Sequence, residues 1–120
     1  MGRKARRGAR PKAPSSDYAD ADGNVLTLRG ALTPGSRREY ARALSGESAT
    51  AAATAEDAWQ RATELLFEHL AVRWVISDVP IERPRELLGR LRMASPQERA
   101  WVRGALREHC AEHFPDVQAP

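Results

Sequence analysis

His109, Cys110 and His113 are the residues whose types and spacing come nearest to metal chemistry. Residues four apart on a helix share a face, so the imidazoles of His109 and His113 could reach one ion. The zinc-protease helix needs a glutamate directly after the first histidine, and Cys110 stands there instead. Two ligands make a poor site, and the third histidine, His69, is far away in the chain. No metal is expected, with His109 and His113 as the candidates if one were bound. The competing reading packs both rings at a helix C-terminus, where positive charge is favoured. Cys110 as a nucleophile would need a base and an orienting group, so a buried, inert thiol is expected.

Other catalytic signatures are missing. The chain has no phosphate-cradling glycine loop, no paired-carboxylate motif and no serine-centred nucleophile elbow. The expectation is a protein that is not an enzyme and needs no cofactor.

Arginine offers a different chemistry. Arg99, Arg103 and Arg107 recur one helical turn apart, and Arg83, Arg85, Arg90 and Arg92 precede them. A helical hairpin so charged could touch phosphates. Glu82, Glu86, Glu98, Glu108 and Glu112 are interspersed, which favours a solvated face instead. The net charge of +3 is unevenly spread. Arg3, Lys4, Arg6, Arg7, Arg10 and Lys12 supply six of the 19 basic residues and sit in a stretch without acids. The other 13 face 16 acidic residues, so the body is near −3 and the excess of base belongs to a tail.

Trp59, Trp74 and Trp101 are three large anchors in a chain of 120 residues. Core is the plain reading. The sharper one places them at an interface with a partner, where tryptophan is enriched.

The elements that must position these residues follow from pattern. Residues 1–16 lack periodicity and large apolar groups, so they read as a disordered basic arm, either solubilising or binding nucleic acid. Asp22-Gly23-Asn24 is turn chemistry, and Val25-Leu26-Thr27-Leu28-Arg29 has strand composition with Leu26 and Leu28 on one face. Tyr18 to Ala21 is expected to pair back as a hairpin, which must dock on something to be stable. Thr33 and Pro34 open a helix that runs to Leu44, and Gly46 stops it. Residues 45–53 read as a link.

Thr54 to Ser77 is the centre of the chain. Trp59, Ala62, Leu66, Leu70 and Trp74 recur at helical spacing, Thr54 and Asp57 form a capping box, and Asp78-Val79-Pro80 supplies a stop. One helix is expected across the whole stretch. A further helix is expected over Arg83 to Met93, with Leu87, Leu88 and Leu91 inward. Ser95-Pro96-Gln97-Glu98 then opens a last helix that ends near His113, with Trp101, Val102, Ala105, Leu106 and His109 on its apolar face.

The expected fold is thus mainly α, a small domain of about four helices with a short N-terminal β-strand or hairpin. It would occupy residues 17–114, with 115–120 frayed. No apolar run is long enough to span a bilayer, and the N-terminus lacks the apolar stretch of a signal peptide, so a cytoplasmic location is expected, in a bacterium or in the host of a phage.

The turn–strand–helix opening at Asp22-Gly23-Asn24-Val25-Leu26-Thr27-Leu28, Leu32-Thr33 and Arg37-Arg38-Glu39-Tyr40 resembles small tail assembly chaperones of long-tailed phages. The polar gap, the Glu56-Asp57 start and Trp74 continue the likeness over roughly residues 22–76. The resemblance implies a non-enzymatic assembly helper whose partner is another protein, a phage tail component. It carries over no catalytic residue. The function expected is therefore a protein-interaction or assembly factor that binds through Trp59, Trp74 and Trp101 or forms a homo-oligomer. The alternative is a nucleic-acid-associated protein using the basic arm with Arg99, Arg103 and Arg107.

Overall fold

The computed structural model describes residues 14–45 and 55–119. Of the expected arm 1–16 and link 45–53, residues 1–13 and 46–53 lie outside them, as does the Thr54 cap, while Ser15 and Ser16 belong to a strand and Ser45 ends a helix. Eight elements are present among the described residues: β1 (Ser15–Ala19), β2 (Val25–Arg29), α1 (Pro34–Ser45), α2 (Ala55–Leu70), β3 (Ala71–Ile76), β4 (Val79–Ile81), α3 (Pro84–Arg92) and α4 (Pro96–His113).

The strands form one antiparallel sheet in the order β1-β2-β3-β4. This overturns the mainly α expectation: the fold is mixed α and β, with four helices and a four-stranded sheet. The error lies at residue 71. α2 stops at Leu70 and the chain passes directly into β3, which carries Trp74 and continues the sheet. Leu66, Leu70 and Trp74 fit a period near 3.6, but Ala71-Val-Arg-Trp-Val-Ile is also β-branched and aromatic and fits a pleat. Pairing with β2 decides between them, because a two-stranded ribbon of β1 and β2 alone would be marginal.

Leu26 lies opposite both Tyr18 and Trp74, and Trp74 opposite Ile81. These residues share the sheet face that the helices bury. Leu26, Leu28 and Trp74 are buried, whereas Arg29 and Arg73 on the other face are exposed. Such alternation is the mark of a sheet covered on one side. Val72 is the extra residue of a bulge where β2 passes from Thr27 to Leu28.

The β1–β2 turn is knitted by one carboxylate. Asp20 Oδ1 accepts from the backbone N–H groups of Asp22 and Asn24, both at 2.9 Å, and Gly23 adopts φ +82°. The β3–β4 turn uses Ser77 and Asp78 at φ +50° and +66°. Two successive positive φ values give the hairpin twist that matches the strands. Asn24 Oδ1 accepts from Ser77 N–H at 3.0 Å and ties the two turns together. Pro80 stands in the edge strand β4, where a missing N–H is tolerated.

The helix starts follow their signals. Thr33 Oγ1 accepts from Ser36 N–H at 3.0 Å, and Ser95 with Glu98 forms a complete capping box at α4. The open C-terminus of α2 is met by β2, where Arg29 donates to the carbonyl of His69 at 3.3 Å. The core joins Leu66, Phe67 and Leu70 of α2, Leu87 and Leu91 of α3, and Val102 and Leu106 of α4 with the sheet. Residues 115–119, expected to fray, lie against α1 instead: Val117 packs on the core and Tyr40 Oη donates to the carbonyl of Gln118 at 2.5 Å. No helix among the described residues is long and apolar enough to cross a membrane.

Candidate partner-binding groove

The three tryptophans part company in the fold. Trp74 is 2% exposed, in edge-to-face contact with Phe67 and beneath the Arg90 guanidinium, 5.3 Å from the ring centroid. As a core residue it offers no surface to a partner. Trp101 is half-buried and packs on the core. Trp59 is 45% exposed. The buried stripe of α2 runs through Ala58, Ala62, Leu66 and Leu70, with Thr63 and Phe67 beside it. Trp59 sits on the flank of that stripe, so its ring stands above the core.

Beside it lies a cavity of about 660 Å³ between α2, α3 and α4. Trp59 forms a wall, Leu91 and Pro96 supply apolar surface, and Glu64, Arg99 and Arg103 bring charge. Trp59 also lines a second concavity of about 520 Å³, shared with Tyr40 and Leu44 of α1 and with Val117.

The charges of the groove are unequal. Glu64 Oε1 accepts twice from Arg92, from Nε at 3.1 Å and Nη2 at 3.0 Å. Arg99 Nη2 donates to the carbonyl of Arg92 at 3.2 Å, and its Nε is buried with no hydrogen-bond partner among the described residues. Arg103 makes no ion pair among the described residues. The arginine ribbon foreseen on α4 is therefore divided: Arg99 and Arg103 line the groove, while Arg107 stands on exposed surface outside it. Of the other basic residues named for nucleic acid, Arg3, Lys4, Arg6, Arg7, Arg10 and Lys12 lie outside the described residues.

His109 and His113 do meet, with ring centroids 4.4 Å apart, but they serve packing. His109 is fully buried, with Nε2 2.8 Å from the carbonyl of Arg29 and Nδ1 2.8 Å from Tyr18 Oη. A carbonyl can only accept, so Nε2 carries the proton and Nδ1 accepts from the tyrosine. Both nitrogens are committed, and no lone pair remains for an ion. His113 Nε2 lies 3.2 Å from Ser16 Oγ. Among the described residues no group of three His, Cys, Asp or Glu could hold a metal. Burial lowers the pKa of His109 and raises that of Tyr18. Burial also pushes the Cys110 thiol up to about 11, which removes it as a nucleophile at neutral pH.

One constellation had no trace in the sequence pattern. His69 Nδ1 lies 3.3 Å from Ser36 Oγ and its Nε2 3.2 Å from Glu39 Oε1. Hydroxyl, imidazole and carboxylate stand in the order of a hydrolytic triad. The Glu39 side chain is 58% exposed, however, so its charge is screened by solvent. Ser36 Oγ is also bonded to Thr33 Oγ1 at 2.9 Å in the cap of α1. The series clamps α1 to the end of α2. Ser36 and Glu39 share a face of one helix, but nothing local links them to a histidine 30 residues on.

Comparison with protein-family models, with curated proteins and with solved structures finds no match to this chain.

Proposed function

We propose that the chain is a non-enzymatic protein-interaction factor that docks a partner protein on the groove beside Trp59. Its resemblance to tail assembly chaperones of long-tailed phages supports a phage tail component as that partner. The observation that carries this reading is the exposure of Trp59 at an apolar-floored groove, while Trp74 is held in the core. Large exposed apolar surface beside a concavity is the usual footprint of a docking site. The histidines and Cys110 are engaged in packing and hydrogen bonds, which leaves the groove as the strongest candidate for specific recognition.

The test is co-expression with tail proteins of long-tailed phages, followed by size-exclusion chromatography. A stable complex that Trp59→Ala abolishes, and that withstands moderate salt, supports the reading. Binding confined to nucleic acid, steeply weakened by salt and lost on deletion of residues 1–13, supports the alternative.

A further inference from the structure

Resting on that docking reading, we infer that the groove takes an amphipathic helix of the partner carrying two carboxylates one turn apart beside a bulky aliphatic residue. The inference starts from charge. Glu64, the one carboxylate lining the groove among the described residues, is already held by Arg92. Two cations, Arg99 and Arg103, have no carboxylate of their own there among the described residues. Arg99 also keeps a buried Nε without a partner among the described residues. A carboxylate brought to two guanidinium groups in a partly enclosed groove makes charge-assisted hydrogen bonds, which gain more there than at open surface.

Spacing then selects the ligand. Arg99 and Arg103 are four residues apart on α4, roughly 6 Å from Cβ to Cβ. Glutamates four apart on a second helix have the same repeat. Between the charges, Leu91, Pro96 and Trp59 offer apolar surface that a leucine or phenylalanine would cover. Helix-in-groove recognition has this form, with anchors at helical spacing. A nucleic-acid strand fits less well. Single strands stack successive bases on several aromatic rings, and among the described residues Trp59 is the only aromatic lining this groove.

The probe is a blocked, alanine-based helical peptide bearing two glutamates one turn apart beside two leucines. It is titrated into the full chain while the three indole N–H resonances are followed. Saturable movement of the Trp59 signal, with Trp74 unmoved, is expected. Arg103→Gln should weaken binding roughly tenfold. Arg103 makes no ion pair among the described residues, so this variant should fold, and an unchanged Trp74 signal checks that it does. Arg99→Gln should weaken binding at least as much.

The inference is overturned if a peptide with glutamine in place of both glutamates binds equally well. It is overturned too if an oligothymidylate moves Trp59 and the peptide does not. Concentration-dependent self-association abolished by Trp59→Ala, without peptide binding, would instead assign the groove to a second copy. If Trp59→Ala breaks the co-expressed complex and Arg103→Gln leaves it intact, partner docking stands and the acidic helix falls.

Discussion

Tyr18 Oη donates to His109 Nδ1 at 2.8 Å across 91 residues of chain, joining the first strand to the last helix. The rings meet edge to face, with centroids 5.6 Å apart. The same imidazole donates from Nε2 to the carbonyl of Arg29, so one buried ring pins β1 and β2 to α4. Tyr18→Phe keeps the ring and removes the hydroxyl, leaving Nδ1 without its donor. A loss of about 1–2 kcal/mol is expected, read as a lower urea midpoint at unchanged slope.

That ring also sets a pH dependence. Burial is the main cause that lowers the His109 pKa from 6.5; the neighbouring His113 adds to it and the bond to Arg29 opposes it. Below about 6.5 the unfolded chain takes up a proton that the native chain resists, so the free energy of unfolding falls as pH falls. The contribution is fully present above that pH and is lost between it and the native pKa. Urea midpoints should drop from about pH 7.5 to about pH 5.5. His109→Gln, which cannot titrate, should flatten that difference; an equal drop in both proteins would remove His109 as its cause.

Trp59 and Trp74 should separate in stability as they do in exposure. Trp74→Ala opens a cavity among Phe67, Leu26 and Arg90 and should cost about 3–5 kcal/mol. Trp59→Ala should stay within about 0.5 kcal/mol. Thermal denaturation of the two variants checks this, since one kcal/mol moves Tm by roughly 3–6 °C at this size.

Gly30 marks a close approach of two segments of the chain. A Cβ there would meet the carbonyl oxygen of Pro14 at 2.7 Å and His113 Nδ1 at 3.3 Å. Gly30 N–H also donates to that same carbonyl, so the strand cannot simply move away. Gly30→Ala should cost about 1–3 kcal/mol and loosen β1, seen as faster amide exchange in residues 15–19.

The β3–β4 turn leaves room for improvement. Ser77 and Asp78 hold positive φ, which a side chain resists. Replacing the pair with Asn-Gly should raise stability by roughly 0.5–1 kcal/mol. A fall in Tm would mean that the Ser77 or Asp78 side chain makes a contact worth more than the strain.

Much of this architecture could be read from local chemistry. The Asp22-Gly23-Asn24 turn, the inward Leu26 and Leu28, the Thr33 cap, the Ser95–Glu98 box and the buried face of α4 depend on neighbours within a few residues, so their signals are present in the chain itself. The path of residues 71–76 was not legible. Helical spacing through Leu66, Leu70 and Trp74 competes there with β-branched composition, and the free energy that decides lies in hydrogen bonds to β2, some 45 residues earlier.

The candidate groove divides in the same way. Sequence alone determined that three tryptophans and an arginine ribbon had to be placed, because their residue types and one-turn spacing are properties of the chain. Only the tertiary structure decided that Trp74 is core and Trp59 surface, that Arg99 and Arg103 face a common hollow while Arg107 does not, and that Tyr18 and Arg29 consume both nitrogens of His109. Burial and hydrogen-bond partnership are relations between segments distant in the chain, and no local pattern encodes them.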